Sequence, residues 1–256
     1  MLKFNQVVAL IVLLPGCLSQ AFSAEDIIYV GTASMGFNSF EFAEKLDTPI
    51  THVMTEVAVT AIYKGFILTL NAAQAIDKAD VSEEDETGQA ERSDFDVLLA
   101  YQLNHSWTLF GGFKKGETRI DFIDRQTNIL QVDRYKQSGP YMGVSYTYRM
   151  QRSGKLAFSA AYAFLDSDNM FHASARDADD IDIEFDDLDG RHKGKTEGVS
   201  LVGSWSIPLS PKLIYHAKLR YNDYQQSING DFEGQTFNFD IPENHLMLMM
   251  GVSRVF

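Results

Sequence analysis

The sequence predicts an all-β fold: one antiparallel transmembrane β-barrel, with ten strands as the primary count and eight as the fallback. Three observations carry this. Stretches of about ten residues alternate apolar and polar side chains with the period of two that a strand imposes. The connections between them are alternately short and long. The face opposite the apolar one is polar or small, which suits a barrel whose apolar side meets lipid.

The ten stretches are 26–35, 54–63, 66–75, 94–103, 107–117, 139–149, 155–165, 196–207, 212–222 and 244–256. Each is long enough to cross a bilayer as a tilted strand, which takes about 9–11 residues. The first is the weakest, because Gly31, Thr32 and Ser34 blunt its pattern, and Gly36 to Phe42 extends it beyond the membrane. Short turns fall at Lys64-Gly65, Asn104 to Ser106, Met150 to Gly154 and Pro208 to Pro211, and are assigned to the periplasmic rim. The long connections, 36–53, 76–93, 118–138, 166–195 and 223–243, are assigned to extracellular loops. A soluble β-sandwich has no reason to alternate in this way.

Alternation within strands repeats the pattern. Leu156, Phe158, Ala160, Tyr162 and Phe164 oppose Lys155, Ala157, Ser159, Ala161 and Ala163. Leu213, Tyr215, Ala217, Leu219 and Tyr221 oppose Ile214, His216, Lys218, Arg220 and Asn222. Aromatics on the apolar face cluster beside the short turns: Tyr63, Phe66, Tyr101, Trp107, Tyr148, Trp205 and Tyr215. Phe95, Phe113, Phe164 and Tyr221 lie toward the other rim. Two such belts are expected where amphipathic rings sit at headgroup level, although aromatics also favour strands in general.

Residues 1–23 read as a secretory signal peptide, leaving 24–256 as the barrel. Lys3 supplies a positive start, Val7 to Leu14 an apolar run, and Ala21 and Ser23 the small residues of a cleavage site after Ser23. The alternative is a lipoprotein signal at Leu14-Pro15-Gly16-Cys17, with Cys17 acylated. Cys17 is the one cysteine, so the cleaved chain has no disulfide. The formal charge is −13, or −14 without Lys3 (−13 − 1), which argues against nucleic-acid partners.

The C-terminus carries a resemblance. Leu246, Leu248, Met250 and Val252 alternate and the chain ends in Phe256, which resembles the closing strand of bacterial outer-membrane β-barrel proteins. Arg254 departs from that pattern, which has an apolar or aromatic residue there. The resemblance implies recognition of Phe256 by the barrel assembly machinery, residence in the outer membrane of a Gram-negative-type bacterium, and contact with outer-membrane lipid and lipopolysaccharide. It implies nothing about activity.

Candidate functional residues follow from the inward faces. Glu56, Asp96, Lys114, Arg149, His216, Lys218 and Arg220 point into the lumen. Glu56, Asp96, Lys114 and Arg220 lie at similar distances from their short turns and so at one height. Acids and bases at one level of a narrow lumen should pair, because isolated buried charges are costly. The structural reading is a salt-bridge plug, and the functional one an ion-selective constriction. The stretch 166–195 contains Asp180, Asp182, Glu184, Asp186, Asp187 and Asp189, either a solvated acidic loop or a site for a divalent cation, though it lacks the EF-hand pattern. No cofactor motif is present. A hydrolase resembling the omptin proteases would use His172 with Asp166 or Asp168, but no matching motif occurs, and a lipid-acting one would need an outward Ser paired with His216. The expectation is a non-enzymatic envelope barrel with a structural or surface-interaction role. A narrow channel for small polar solutes and an outer-membrane hydrolase are the alternatives.

Overall fold

The computed structural model describes residues 27–42, 49–83, 86–124, 130–151, 153–171, 190–232 and 235–256. They form eleven strands: β1 (Ile28–Phe42), β2 (Ile50–Tyr63), β3 (Phe66–Ala75), β4 (Ala79–Glu83), β5 (Glu86–Gln102), β6 (Trp107–Asp124), β7 (Leu130–Met150), β8 (Gly154–Phe171), β9 (Gly190–Ser210), β10 (Leu213–Phe232) and β11 (Gln235–Val255). Apart from β3 and β4, sequential neighbours pair antiparallel, β1 pairs with β11, and β3 pairs with β5. The sheet therefore closes on itself and leaves no open edge in the membrane, as a bilayer demands.

β3 and β4 are one interrupted strand. Gln74 lies opposite Ser93 and Ala79 opposite Ala90, so residues 75–78 face only Glu91 and Arg92. Such a bulge bends the strand without ending its pairing with β5. The barrel thus has ten staves, and the eight-strand fallback is set aside.

The short turns lie where expected. Lys64 and Gly65 both adopt positive φ, 46° and 86°, the geometry of a two-residue hairpin turn that matches strand twist. Asn104 Oδ1 accepts hydrogen bonds from the backbone N–H groups of Ser106 and Trp107. The long connections differ from expectation. Much of their length is strand: β5 begins at Glu86, β6 runs to Asp124, β7 starts at Leu130, and β10 and β11 pair from Phe232–Gln235 downward.

The reason lies in which face is apolar. On β6 the outward residues are Trp107, Leu109 and Phe113, then Lys115, Glu117, Arg119 and Asp121. The inward ones are Thr108, Gly112 and Lys114, then Thr118, Ile120 and Phe122, the last three buried. On β11, Leu248 and Leu246 face out beside buried Met249 and Met247; further along, Asn244 and Asp240 face outward while Ile241 is buried. Apolar and polar faces exchange where the strand leaves lipid for water. Outward apolar residues bound the membrane-spanning segments at 29–37, 53–63, 66–72, 95–101, 107–113, 140–148, 156–164, 199–207, 213–221 and 246–256. Beyond them the barrel continues with an inner apolar core of Phe40, Ile50, Val81, Ile120, Phe122, Tyr135, Phe171, Ile228 and Ile241.

The aromatics of the sequence analysis face outward at the short-turn rim. Phe66 packs at a tilt against Tyr101 with ring centroids 4.8 Å apart, and Trp205 meets Tyr215 edge-on at 5.9 Å. Tyr63, Trp107 and Tyr148 are exposed there. Phe256 closes the ring through its N–H, which donates to the Tyr29 carbonyl at 2.9 Å. Arg254 lays its guanidinium over the Phe256 ring at 5.5 Å, so the residue that departs from the closing-strand pattern covers the terminal aromatic.

Candidate functional site

The inward face holds three successive layers. Nearest the short turns, small and apolar side chains line a cavity of about 340 Å³: Ile67, Leu98 and Phe110 on one side, Ser159, Ala161 and Ala163 on the other. Two aromatic–glycine pairs shape its wall. Phe110 lies opposite Gly143 and Tyr141 opposite Gly112, and a Cβ on either glycine would come within 2.6 Å of the facing ring.

The second layer is charged. Lys218 Nζ donates to both oxygens of Glu56 at 2.7 and 2.6 Å, and Asn71 donates to Glu56 at 3.0 Å. Asp96 sits opposite both Asn71 and Lys114 and accepts a hydrogen bond from the Tyr141 hydroxyl at 2.6 Å. Lys114 donates to the Tyr224 hydroxyl and lies 4.1 Å from that ring's centroid. Arg220 lines the same cavity, and its Nε is buried with no hydrogen-bond partner among the described residues. The structure thus brings together Glu56, Asp96, Lys114, Lys218 and Arg220.

Two residues assigned to that cluster lie elsewhere. His216 points inward but nearer the short turns, between the hydroxyls of Ser34 (3.0 Å) and Ser253 (3.3 Å). Arg149 does not join the cluster at all. It lies opposite Lys155, one residue from the strand end at Met150, and is exposed, because a residue so close to a strand end stands at the rim rather than in the lumen.

A third set of polar residues continues the charged layer outward, and sequence reasoning missed it. Arg92 holds Asp94 at 3.0 Å and donates to Thr118 at 3.0 Å, and its guanidinium lies 5.0 Å from the Phe40 ring centroid. Gln137 donates to Glu243. His245 sits between Asn38 and Asn222. The signal was present: Asp94 continues the inward row of Asp96, and Glu243 and His245 continue that of Met247. These positions fell in or beside stretches assigned to loops.

Other candidates fall differently. Asp180, Asp182, Glu184, Asp186, Asp187, Asp189, His172 and the signal region with Cys17 lie outside the described residues. Asp166 and Asp168 face outward in ion pairs with Lys195 and Arg191, the Arg191 Nε standing 2.6 Å from Asp168. Those hydrogen bonds hold the Asp168 carboxyl below its usual range. Among the described residues no cluster of three or more His, Cys, Asp or Glu side chains is arranged to hold a metal ion.

A closed antiparallel barrel with an outward apolar belt and polar lumen is, by fold, a bacterial outer-membrane β-barrel. No protein-family model matches the chain, and no curated protein matches it. Among solved structures it is similar to the outer membrane protease OmpT from Escherichia coli, with a TM-score of 0.55, 10% identity, and 92% of this chain and 98% of that one covered. It is also similar to the translocator domain of the autotransporter NalP from Neisseria meningitidis, with a TM-score of 0.53, 9% identity, and coverage of 98% and 97%. At these identities the likeness is one of fold alone.

Proposed function

We propose that this chain is a non-conducting barrel of the outer membrane that acts at the cell surface, and that neither transport nor hydrolysis is its role. One observation carries this reading: the lumen is filled by a hydrogen-bonded charged layer and, beyond it, by an apolar core. Phe122, Ile120, Ile228 and Ile241 are each 0% exposed. An ion would have to break the Glu56–Lys218 pair and then cross a packed core rich in apolar side chains, which is costly on both counts. Planar-bilayer recording of refolded 24–256 tests it. The expected result is a folded, heat-modifiable barrel without conductance steps. Reproducible unitary steps would overturn the closed reading in favour of a narrow channel.

A second observation favours contact with phosphorylated outer-leaflet lipid such as lipopolysaccharide. Lys115, Lys136, Lys193 and Lys195 line one shallow groove on the outer wall of β6–β9, together with Asp166 and Asp168. The groove begins just beyond Phe113 and Phe164, at the level of lipid headgroups. Lys136 and Lys195 are engaged by Glu117 and Asp166. Lys115 makes no ion pair among the described residues, and Lys193 stands opposite Asp168, whose carboxylate Arg191 already engages, so both are available to phosphate. At about 1 kcal/mol per lysine near an anionic surface, Lys115→Ala with Lys193→Ala should weaken lipopolysaccharide binding by about tenfold or more. Unchanged binding in a pull-down with purified lipopolysaccharide would remove this contact from the proposal.

A further inference from the structure

The cavity next to the short turns has no part in a closed barrel acting at its outer surface, yet it is built like a ligand site. Its volume of about 340 Å³ falls within the range of small-molecule pockets. Inward side chains of a ten-strand barrel are able to fill the interior. Here β8 supplies only Ser159, Ala161 and Ala163 at this level, which leaves the space open. Ile67, Leu98 and Phe110 form an apolar wall, and the charged groups gather at one end.

Those charges are unevenly paired by direct contact. Glu56 and Lys218 satisfy each other. The cavity itself is lined by two cations, Lys114 and Arg220, and one carboxylate, Asp96. Asp96 already accepts from Tyr141, and Lys114 is held by a neutral phenol, that of Tyr224. Arg220 feels the charges of Glu56 and Asp96 but makes no ion pair with either, and its Nε is buried with no hydrogen-bond partner among the described residues. A buried guanidinium donor left unpaired is costly, and an anion is the partner that satisfies it through charge-assisted hydrogen bonds.

We infer that this cavity binds a small monoanionic amphiphile, an aryl or medium-chain alkyl carboxylate. The carboxylate lies against Lys114 and Arg220, and the apolar body lies along Ile67, Leu98 and Phe110. The ligand enters from the short-turn rim, because the apolar core of the outer barrel fills the other end. Asp96 sets the selectivity: it tolerates one negative charge beside two cations and disfavours a dianion.

The test uses refolded 24–256 in amphipol and fluorine NMR of 3-(4-fluorophenyl)propanoate, with the matching neutral amide as control. The expected result is saturable broadening of the carboxylate signal, reversed by unlabelled 3-phenylpropanoate and absent for the amide. Lys114→Gln and Arg220→Gln should each weaken binding by about tenfold, the scale of one hydrogen bond to a charged group. Ala161→Phe fills the cavity and leaves both cations in place, so it should abolish binding while heat-modifiable mobility shows a folded barrel; it also serves if a charge variant fails to refold. Equal binding of amide and carboxylate, wild-type binding by Ala161→Phe, or no saturable binding would each overturn the inference. Conductance is recorded separately, so failure here leaves the closed-barrel reading intact.

Discussion

At the residue scale, the lumen is a problem of buried charge. Glu56 and Lys218 are largely shielded from solvent, their side chains 6% and 17% exposed. Removing one partner of such a pair leaves an uncompensated charge and costs about 3–5 kcal/mol, whereas replacing both with apolar groups is often neutral or better. Lys218→Met should therefore lower the urea midpoint of the refolded barrel strongly, and Glu56→Leu combined with Lys218→Met should recover most of the loss. Additive losses would mean that the pair contributes through packing instead. Asp168 provides a gentler case above the membrane. Its folded carboxyl titrates below the unfolded value of about 3.9, so its contribution is present above that pH and fades as pH falls through the lower folded value. The pair is exposed, so the effect is small. Amide exchange in β8 and β9 above residue 166 should quicken on going from pH 5 to pH 3 beyond the intrinsic rate, and Asp168→Asn should remove that increment.

At the element scale, strands such as β6 and β11 are two strands end to end. β6 turns its apolar side outward as far as Phe113 and inward from Ile120, with Lys114, Gly116 and Thr118 between. Burial in the outer half comes from a packed core, not from lipid. Phe122 has no exposed surface and packs with Phe40, Ile50 and Tyr135 within that core. Phe122→Ala should cost about 3–5 kcal/mol. The loss should be local: hydrogen exchange should rise in β5–β7 above the membrane and stay slow in 107–113 and 140–148. A uniform rise along β6 would show that the two halves unfold as one unit.

At the scale of the whole molecule, ten staves enclose a lumen closed twice, once by charges and once by apolar side chains. The two closures are built on different residues, so neither depends on the other. Neutralising Lys114 or Arg220 alone should leave the barrel non-conducting in planar bilayers, because Ile120, Phe122, Ile228 and Ile241 still seal the outer half. A channel appearing in either single variant would place the seal in the charged layer alone. The same arrangement leaves one cavity facing the short-turn rim and one lysine groove facing the lipid, on opposite sides of the wall.

The barrel was legible in the sequence because a period of two against lipid writes itself into every strand. The short turns, the outward aromatics and the inward direction of Glu56, Asp96, Lys114, Lys218 and Arg220 all follow from it. Arg149 misled, because alternation gives a side chain's direction but not its height, and a residue beside a turn faces the rim. The outer halves of the strands were read as loops because their outward faces are polar: the alternation continues past Phe113 and Leu246 with its sign reversed. What only the tertiary structure decided is which charges meet. Register and shear bring Lys218 to Glu56, leave the Arg220 Nε without a hydrogen-bond partner among the described residues and set Tyr141 over Asp96. No local pattern encodes those distances, because they depend on how ten tilted strands close into a ring.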